Sequence, residues 1–204
     1  SAMAIPWEAK HLPAILQAWY PGEQGGRAVA QVLFGEIDPA GRLPVTFYDS
    51  TGDLPPFDDY SMNNRTYRYF KGTPLFAFGH GLSYTKFDYA DAKAEGGAVN
   101  PTGTIKISFV VKNTGSREGD EVAQVYFRHA HSAAPQPNEA LCAFTRVHLA
   151  PGASRTVNLE IRAERLRHWD AAKKQYFVEP GDYELLIGGA SDDIRAKVNV
   201  KIGE

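Results

Sequence analysis

The 204-residue sequence contains one cysteine, Cys142, so no disulfide can form within the chain. A buried structural thiol is the expected role for Cys142. No apolar run approaches the roughly 20 residues needed to span a bilayer, and no membrane partner is expected. The opening residues Ser1-Ala2-Met3-Ala4-Ile5-Pro6-Trp7 lack the basic and apolar regions of a secretory leader, and the natural N-terminus is expected upstream of them. Neither sign of charge dominates. Lys and Arg total 22 against 24 Asp and Glu, which removes the electrostatic footprint of a nucleic-acid or anionic-surface binder. Neutral partners such as sugars are compatible with that balance. There is also no Gly-x-Ser-x-Gly elbow, no phosphate-binding loop ending in Lys-Ser or Lys-Thr, and no cysteine cluster. Serine hydrolase, nucleotide enzyme and zinc finger are therefore disfavoured.

What the sequence does have is 43% hydrophobic residues, enough for a substantial core, with strong β patterning in its last 120 or so residues. Ile105, Ile107, Phe109 and Val111 alternate with polar or outward positions. So do Ala123, Val125 and Phe127; Val157, Leu159 and Ile161; Tyr183, Leu185 and Ile187; and Val198, Val200 and Ile202. Period-two alternation predicts strands with one buried face. Turn signals at Asn113-Thr114-Gly115, Pro151-Gly152 and Pro180-Gly181 separate the runs, as in an immunoglobulin-like sandwich without the core disulfide.

The first third is different. Leu12, Pro13, Ile15, Leu16 and Trp19 have spacings that predict a short amphipathic helix ending at Pro21-Gly22. Ala28, Val29, Val32 and Leu33 predict a second helix closed by Gly35. Asp38-Pro39-Ala40-Gly41 reads as a tight turn leading into a strand over 43–48. Two helices and one strand cannot enclose a core, because a layered α/β unit needs a sheet with covered faces. An exposed apolar face around Leu12, Ile15, Val29 and Leu33 is expected. Residues 49–82, rich in Pro, Gly, Asp and aromatics, read as an ordered linker.

The ordered landmarks Ala18-Trp19-Tyr20-Pro21-Gly22, Gly35-Glu36-Ile37-Asp38-Pro39-Ala40-Gly41-Arg42-Leu43-Pro44, Asn64-Arg65-Thr66-Tyr67-Arg68-Tyr69-Phe70 and Pro74-Leu75-Phe76-Ala77-Phe78-Gly79-His80-Gly81-Leu82-Ser83-Tyr84 run through this region. Further landmarks follow at Leu141-Cys142-Ala143-Phe144-Thr145-Arg146-Val147, Leu166-Arg167-His168-Trp169-Asp170 and Val178-Glu179-Pro180-Gly181-Asp182-Tyr183. Together they resemble the C-terminal part of glycoside hydrolase family 3, the β-glucosidases and β-xylosidases. Cys142-Ala143 departs from that family's usual basic residue and glycine. The resemblance implies a mainly β chain: the end of an α/β sandwich over 1–48, the linker over 49–82, and a fibronectin-III-like β-sandwich over 83–204. It implies a retaining exo-glycosidase as parent, acting on plant-type oligosaccharides and exported to periplasm or medium. The missing N-terminal barrel and remaining α/β portion would be this chain's partners.

Glycoside hydrolysis needs two carboxyl groups about the scissile bond. By the resemblance, the nucleophilic aspartate lies in the barrel and the acid/base glutamate precedes the motif at Ala18–Gly22, so no catalytic residue is assigned here. Asp58-Asp59 and Asp192-Asp193 read as turn residues. Glu8, Glu23 and Glu36 receive no catalytic role, and Glu23 and Glu36 fit the exposed ends of a helix. His129-Ala130-His131 places two imidazoles on one strand face, but no further ligand completes a set, and no metal or cofactor is assigned. His80, between two glycines, reads as structural. Tyr60, Arg65, Tyr67, Arg68, Tyr69 and Phe70 could stack on sugar rings or pin the linker, with packing the weightier reading. Substrate-binding residues are left unassigned. The rival class is a non-catalytic β-sandwich module that binds carbohydrate or protein.

Overall fold

The computed structural model describes residues 2–129, 131, 132, 134–171 and 173–204. Its β-rich part carries β1 (Phe87–Glu95), β2 (Thr104–Asn113), β3 (Gly119–His129), β4 (Ala140–Leu149), β5 (Ser154–Arg162), β6 (His168–Asp170), β7 (Gln175–Phe177), β8 (Gly181–Ala190) and β9 (Asp193–Ile202). Among the described residues, a three-stranded sheet in the order β1-β2-β5 faces a four-stranded sheet in the order β4-β3-β8-β9, and β6 and β7 form a separate hairpin. All pairings in these sheets are antiparallel.

Each alternating run falls on a strand. Phe109, Val111, Ala123, Val125, Leu185 and Ile187 are wholly buried between the sheets. Tyr89 and Phe109 stack at 6.0 Å within this core. Asn113, at the end of β2, is also buried. Its side-chain amide donates to the carbonyls of Arg117 (2.7 Å) and Leu149 (3.0 Å), and its oxygen accepts from the Thr85 hydroxyl (2.6 Å) and the Gly115 N–H (3.0 Å). The turn residue read from sequence thus satisfies three backbone groups and ties in the Thr85 hydroxyl. At the start of β8 the Tyr183 hydroxyl donates to the Glu179 carbonyl four residues upstream, at 2.7 Å. That is the tyrosine corner of immunoglobulin-like sandwiches.

The first third contains α1 (Pro6–His11), α2 (Gly25–Leu33) and one helical turn, α3 (Thr66–Tyr69). The helix expected through Leu12, Ile15, Leu16 and Trp19 does not form. Leu12 is extended at φ −98°, ψ 140°, because a residue before proline is pushed out of the α region. Helix forms instead just upstream, where Pro6 can occupy the first turn. Trp19, at φ 53°, breaks the path again. The second helix forms as expected. Gly35, at φ 70°, donates to Val32 O (2.9 Å) and Glu36 N–H donates to Gln31 O (2.8 Å), the paired bonds of a Schellman cap.

The strand expected over 43–48 is reduced to a single antiparallel bridge, Phe47 to Phe76. Leu43 and Phe47 each exchange two backbone bonds with the segment 76–80, while Pro44 has no N–H to contribute between them. Neither α1 nor α2 buries any residue completely. Leu12, Ile15 and Leu33 are exposed and Val29 half-buried, so the expected apolar surface is present.

Replacing Tyr183 by Phe should lower the unfolding free energy by about 0.5–1.5 kcal/mol, the typical net worth of one intramolecular hydrogen bond. Urea titration followed by far-UV circular dichroism reads that loss.

Candidate functional site

A series of polar ties holds the first 86 residues against the sandwich. α2 is held at its carboxyl end, where backbone carbonyls lack helical partners. The Tyr84 hydroxyl donates to Val32 O at 2.7 Å, and the Arg117 guanidinium donates to Gly35 O while lying 5.4 Å over the Tyr84 ring. A cation there also suits the negative end of the helix dipole. Asp38 comes next. Its carboxylate accepts from the Ser83 hydroxyl (2.9 Å) and the Tyr84 N–H (2.6 Å), so the Asp-Pro segment serves as a clamp on residues 83–84.

Deeper in, Arg42 and Glu121 pair at 2.9 Å, both nearly buried, and the Tyr89 hydroxyl donates to the other Glu121 oxygen at 2.6 Å. Burial first, and the Glu121 carboxylate second, raise the Tyr89 phenol above its ordinary value. It stays a neutral donor. Gln124 is the next tie: its amide donates to Gly79 O (3.2 Å) and to Gly189 O, and its oxygen accepts from the Tyr126 hydroxyl (2.6 Å). Gly79 sits at φ 83°, and a β-carbon there would come within 2.2 Å of the Gln124 oxygen. The glycine is therefore required both by its backbone and by this close approach.

The aromatic run packs over the outer face of β3. Tyr67 stacks on Phe78 at 4.3 Å and meets Tyr126 edge-on, while its hydroxyl accepts from the Leu141 N–H at 3.0 Å. Tyr48 meets Phe70 edge-on at 4.9 Å, and its hydroxyl accepts from the Thr66 N–H. Arg65 donates to the carbonyls of Pro56, Asp59 and Ser61. Tyr60 alone of the singled-out tyrosines is almost fully exposed.

Beside this cluster Glu139 is buried, with the Arg128 guanidinium 3.8 Å away. Burial pushes its carboxyl up to about 7, against the weaker opposing pull of Arg128. Sequence gave no hint of this site. Glu121 and Gln124 are polar residues on β3 and Glu139 directly precedes β4, and only the chain folded over them reveals their burial.

The carboxylates considered from sequence occupy structural places. Asp59 accepts from the Ser61 N–H at 2.8 Å, and bonds from Ser61 hold its carboxyl below the ordinary range. Asp193 pairs with Arg195 beside the β8–β9 turn. Glu23 and Glu36 flank α2 in exposed positions. His129 is buried and stacks on Tyr183 at 4.2 Å with Glu179 3.3 Å from its Nδ1, while Ala130 of the His-Ala-His run lies outside the described residues. Among the described residues no group of three or more His, Cys, Asp or Glu could hold a metal ion. His80 is partly buried, which lowers its imidazole, and its backbone bonds to Leu43 and Ala77. The Cys142 thiol reaches Val125 O at 3.3 Å, and burial pushes it up to about 12. It is inert as a nucleophile at neutral pH.

Two substitutions test these ties. Asp38→Ala should leave the urea midpoint of the sandwich unchanged but raise the rate of limited proteolysis between residues 12 and 37 about tenfold or more, since it removes bonds to an ionised group worth about 1.5–3 kcal/mol each. Glu139 affects pH dependence. Its ordinary value is 4.5 and its folded value about 7, so the folded chain binds the proton more tightly. Below 4.5 both states are protonated and nothing is lost. As pH rises from 4.5 towards about 7 this group progressively destabilises the fold, and above that the penalty is constant. Melting temperature measured from pH 4.5 to 8 should fall less steeply in Glu139→Gln.

Residues 1–84 match the glycosyl hydrolase family 3 C-terminal domain, and residues 121–191 match a fibronectin type III-like domain. A xylan 1,4-β-xylosidase of Xylanibacter ruminicola is 44% identical across 95% of this chain, and the match covers 22% of that enzyme. A periplasmic β-glucosidase of Salmonella typhimurium is 36% identical across 91% of the chain and 26% of its own length. The β-glucosidase EmGH1 of Erythrobacter marinus superposes with a TM-score of 0.85 and 35% identity, over 98% of this chain and 27% of the enzyme. β-Glucosidase 3B of Thermotoga neapolitana, solved with α-D-glucose, gives 0.82 and 34% over 91% of this chain and 28% of its own. The chain thus spans roughly a quarter of the relatives it matches, at their C-terminal part, and with the α2-to-Tyr84 segment and the sandwich both in place it belongs to glycosyl hydrolase family 3.

Proposed function

We propose that this chain is the C-terminal part of a retaining, exo-acting β-glycosidase, a β-xylosidase or β-glucosidase that hydrolyses O-glycosidic bonds in plant-type oligosaccharides. The observation that carries the reading is the shape of the similarity: it runs along 91–99% of this chain and 22–29% of enzymes named as xylosidases and glucosidases. The chain's contribution is structural. Residues 1–48 complete an α/β layer of the parent, 49–82 bind that layer to the sandwich, and 83–204 form a rigid buttress. The nucleophile and the acid/base carboxyl belong to the parent's other parts, and the exposed Leu12, Ile15 and Leu33 pack against them. Export to periplasm or medium is supported by the likeness to the Salmonella periplasmic enzyme.

In a retaining mechanism one carboxylate attacks the anomeric carbon while the second protonates the departing oxygen, then activates water against the glycosyl intermediate. Those groups must sit about 5–5.5 Å apart. The well-placed carboxylates here serve elsewhere: Asp38 and Asp59 accept local hydrogen bonds, and Glu121 is neutralised by Arg42. The chain alone should therefore release no nitrophenol from p-nitrophenyl β-xyloside or β-glucoside, whereas the full product of the reading frame that encodes it should hydrolyse one of them. Turnover by the chain that disappears in Asp58→Asn or Glu139→Gln would overturn this division of labour.

A further inference from the structure

Between two buried residues, Leu166 and Val178, β6 and β7 form a two-stranded sheet, the β6–β7 hairpin, outside both sheets of the sandwich. Trp169 and Tyr176 are directly paired across it and so project from the same face. Their rings meet edge-on with centroids 5.3 Å apart, and the Arg167 guanidinium lies 4.7 Å over the Tyr176 ring. On the other face His168 meets Phe177 edge-on, and the Lys173 ammonium lies 4.5 Å over Phe177. The rings are thus fixed by their own neighbours, yet Trp169 and Tyr176 remain 54% and 62% exposed.

Ordered, exposed aromatic rings forgo the stabilisation that burial would bring, and patches of this kind mark contact sites. Composition narrows the contact. Arg167–Phe177 contains no Leu, Ile, Val or Met and carries Lys173 and Lys174 at its tip. Protein interface cores are depleted in lysine. A β-linked pyranose chain makes the opposite demand: flat C–H faces that seat on indole or phenol, rimmed by hydroxyls that need donors and acceptors. Trp169 supplies the open ring face and the Arg167 guanidinium, over the neighbouring Tyr176 ring, supplies donors on that same face, whereas Gln175 and Lys173 belong to the opposite face, where Lys173 pairs with Asp170.

We propose that the β6–β7 hairpin is a carbohydrate-contact platform for a β-1,4-linked xylan or glucan chain, with Trp169 as its stacking surface and Tyr176 as its edge. The choice of sugar rests on the glycosidase reading above. The platform would hold a polymer near the parent enzyme by a contact that involves no bond cleavage.

Affinity gel electrophoresis of the full chain through soluble xylan or mixed-linkage β-glucan tests this directly. Wild-type chain should be retarded by at least one polymer. Trp169→Ala and Tyr176→Ala should each weaken that retardation, Trp169→Ala by about tenfold or more, as for a stacked aromatic hot spot, while Trp7→Ala leaves it unchanged. A chain whose only tryptophan is Trp169, made by Trp7→Phe and Trp19→Phe, should show a blue-shifted emission on titration with xylohexaose or cellohexaose. Absence of retardation and of any emission shift overturns the proposal, as does retardation that Trp169→Ala leaves intact. Self-association that Trp169→Ala abolishes, without retardation by either polymer, reassigns the hairpin to protein contact. Because binding is read without turnover, each of these failures leaves the nitrophenol result, and the glycosidase reading, standing.

Discussion

The buried Glu121 carboxylate imposes the constraint on which the arrangement of the two halves depends. It lies on the core side of β3, at the end of the sandwich, where an unpaired charge would be strongly disfavoured. Arg42 and Tyr89 supply the partners it needs, one from the first third of the chain and one from β1. A buried pair of this kind contributes little net stability, because desolvating both ions offsets much of their attraction. Its effect is positional. The placement of residues 38–48 that brings Arg42 to Glu121 also puts Asp38 against Ser83 and brings Phe47 to Phe76.

The rest of the junction follows from the same shortage of independent core. Neither α1 nor α2 buries a residue, so the first third takes its order from what it touches. Tyr67 and Phe78 then cover Tyr126 on the outer face of β3, which would otherwise be solvent-facing. The four-stranded sheet consequently has two covered faces near its centre, and Leu186 on β8 is as buried as the residues facing the sandwich interior.

The sequence was most legible where a strand has one buried and one open face. Ile105 to Val111 on β2 and Val198 to Ile202 on β9 show their alternation because the solvent side admits polar residues. β1 was not read, since its Asp91 adopts φ 53° and the pairing slips between Ala90 and Lys93, breaking the period. β4 was missed as a strand for a related reason: its register slips against β3, and partly buried Cys142 and Ala143 blur inside and outside. In the first third, side-chain spacing at Leu12, Ile15 and Leu16 suggested helix, but the backbone restriction before Pro13 prevailed. The junction residues were the least legible. Gln124 occupies what alternation marks as an outward position, and its role depends on Gly79, 45 residues earlier, and Gly189, 65 residues later.

That one side-chain amide joins the carbonyl of the positive-φ Gly79 to that of Gly189 near the end of β8, and this bears on how such a domain can be exchanged between proteins. A fibronectin-like sandwich is commonly regarded as a portable unit whose surface loops can be reassigned freely. Here portability ends at Gln124 and Glu121. A sandwich grafted from a relative would have to bring both side chains and meet a glycine at position 79, so the swappable unit begins well before its first strand.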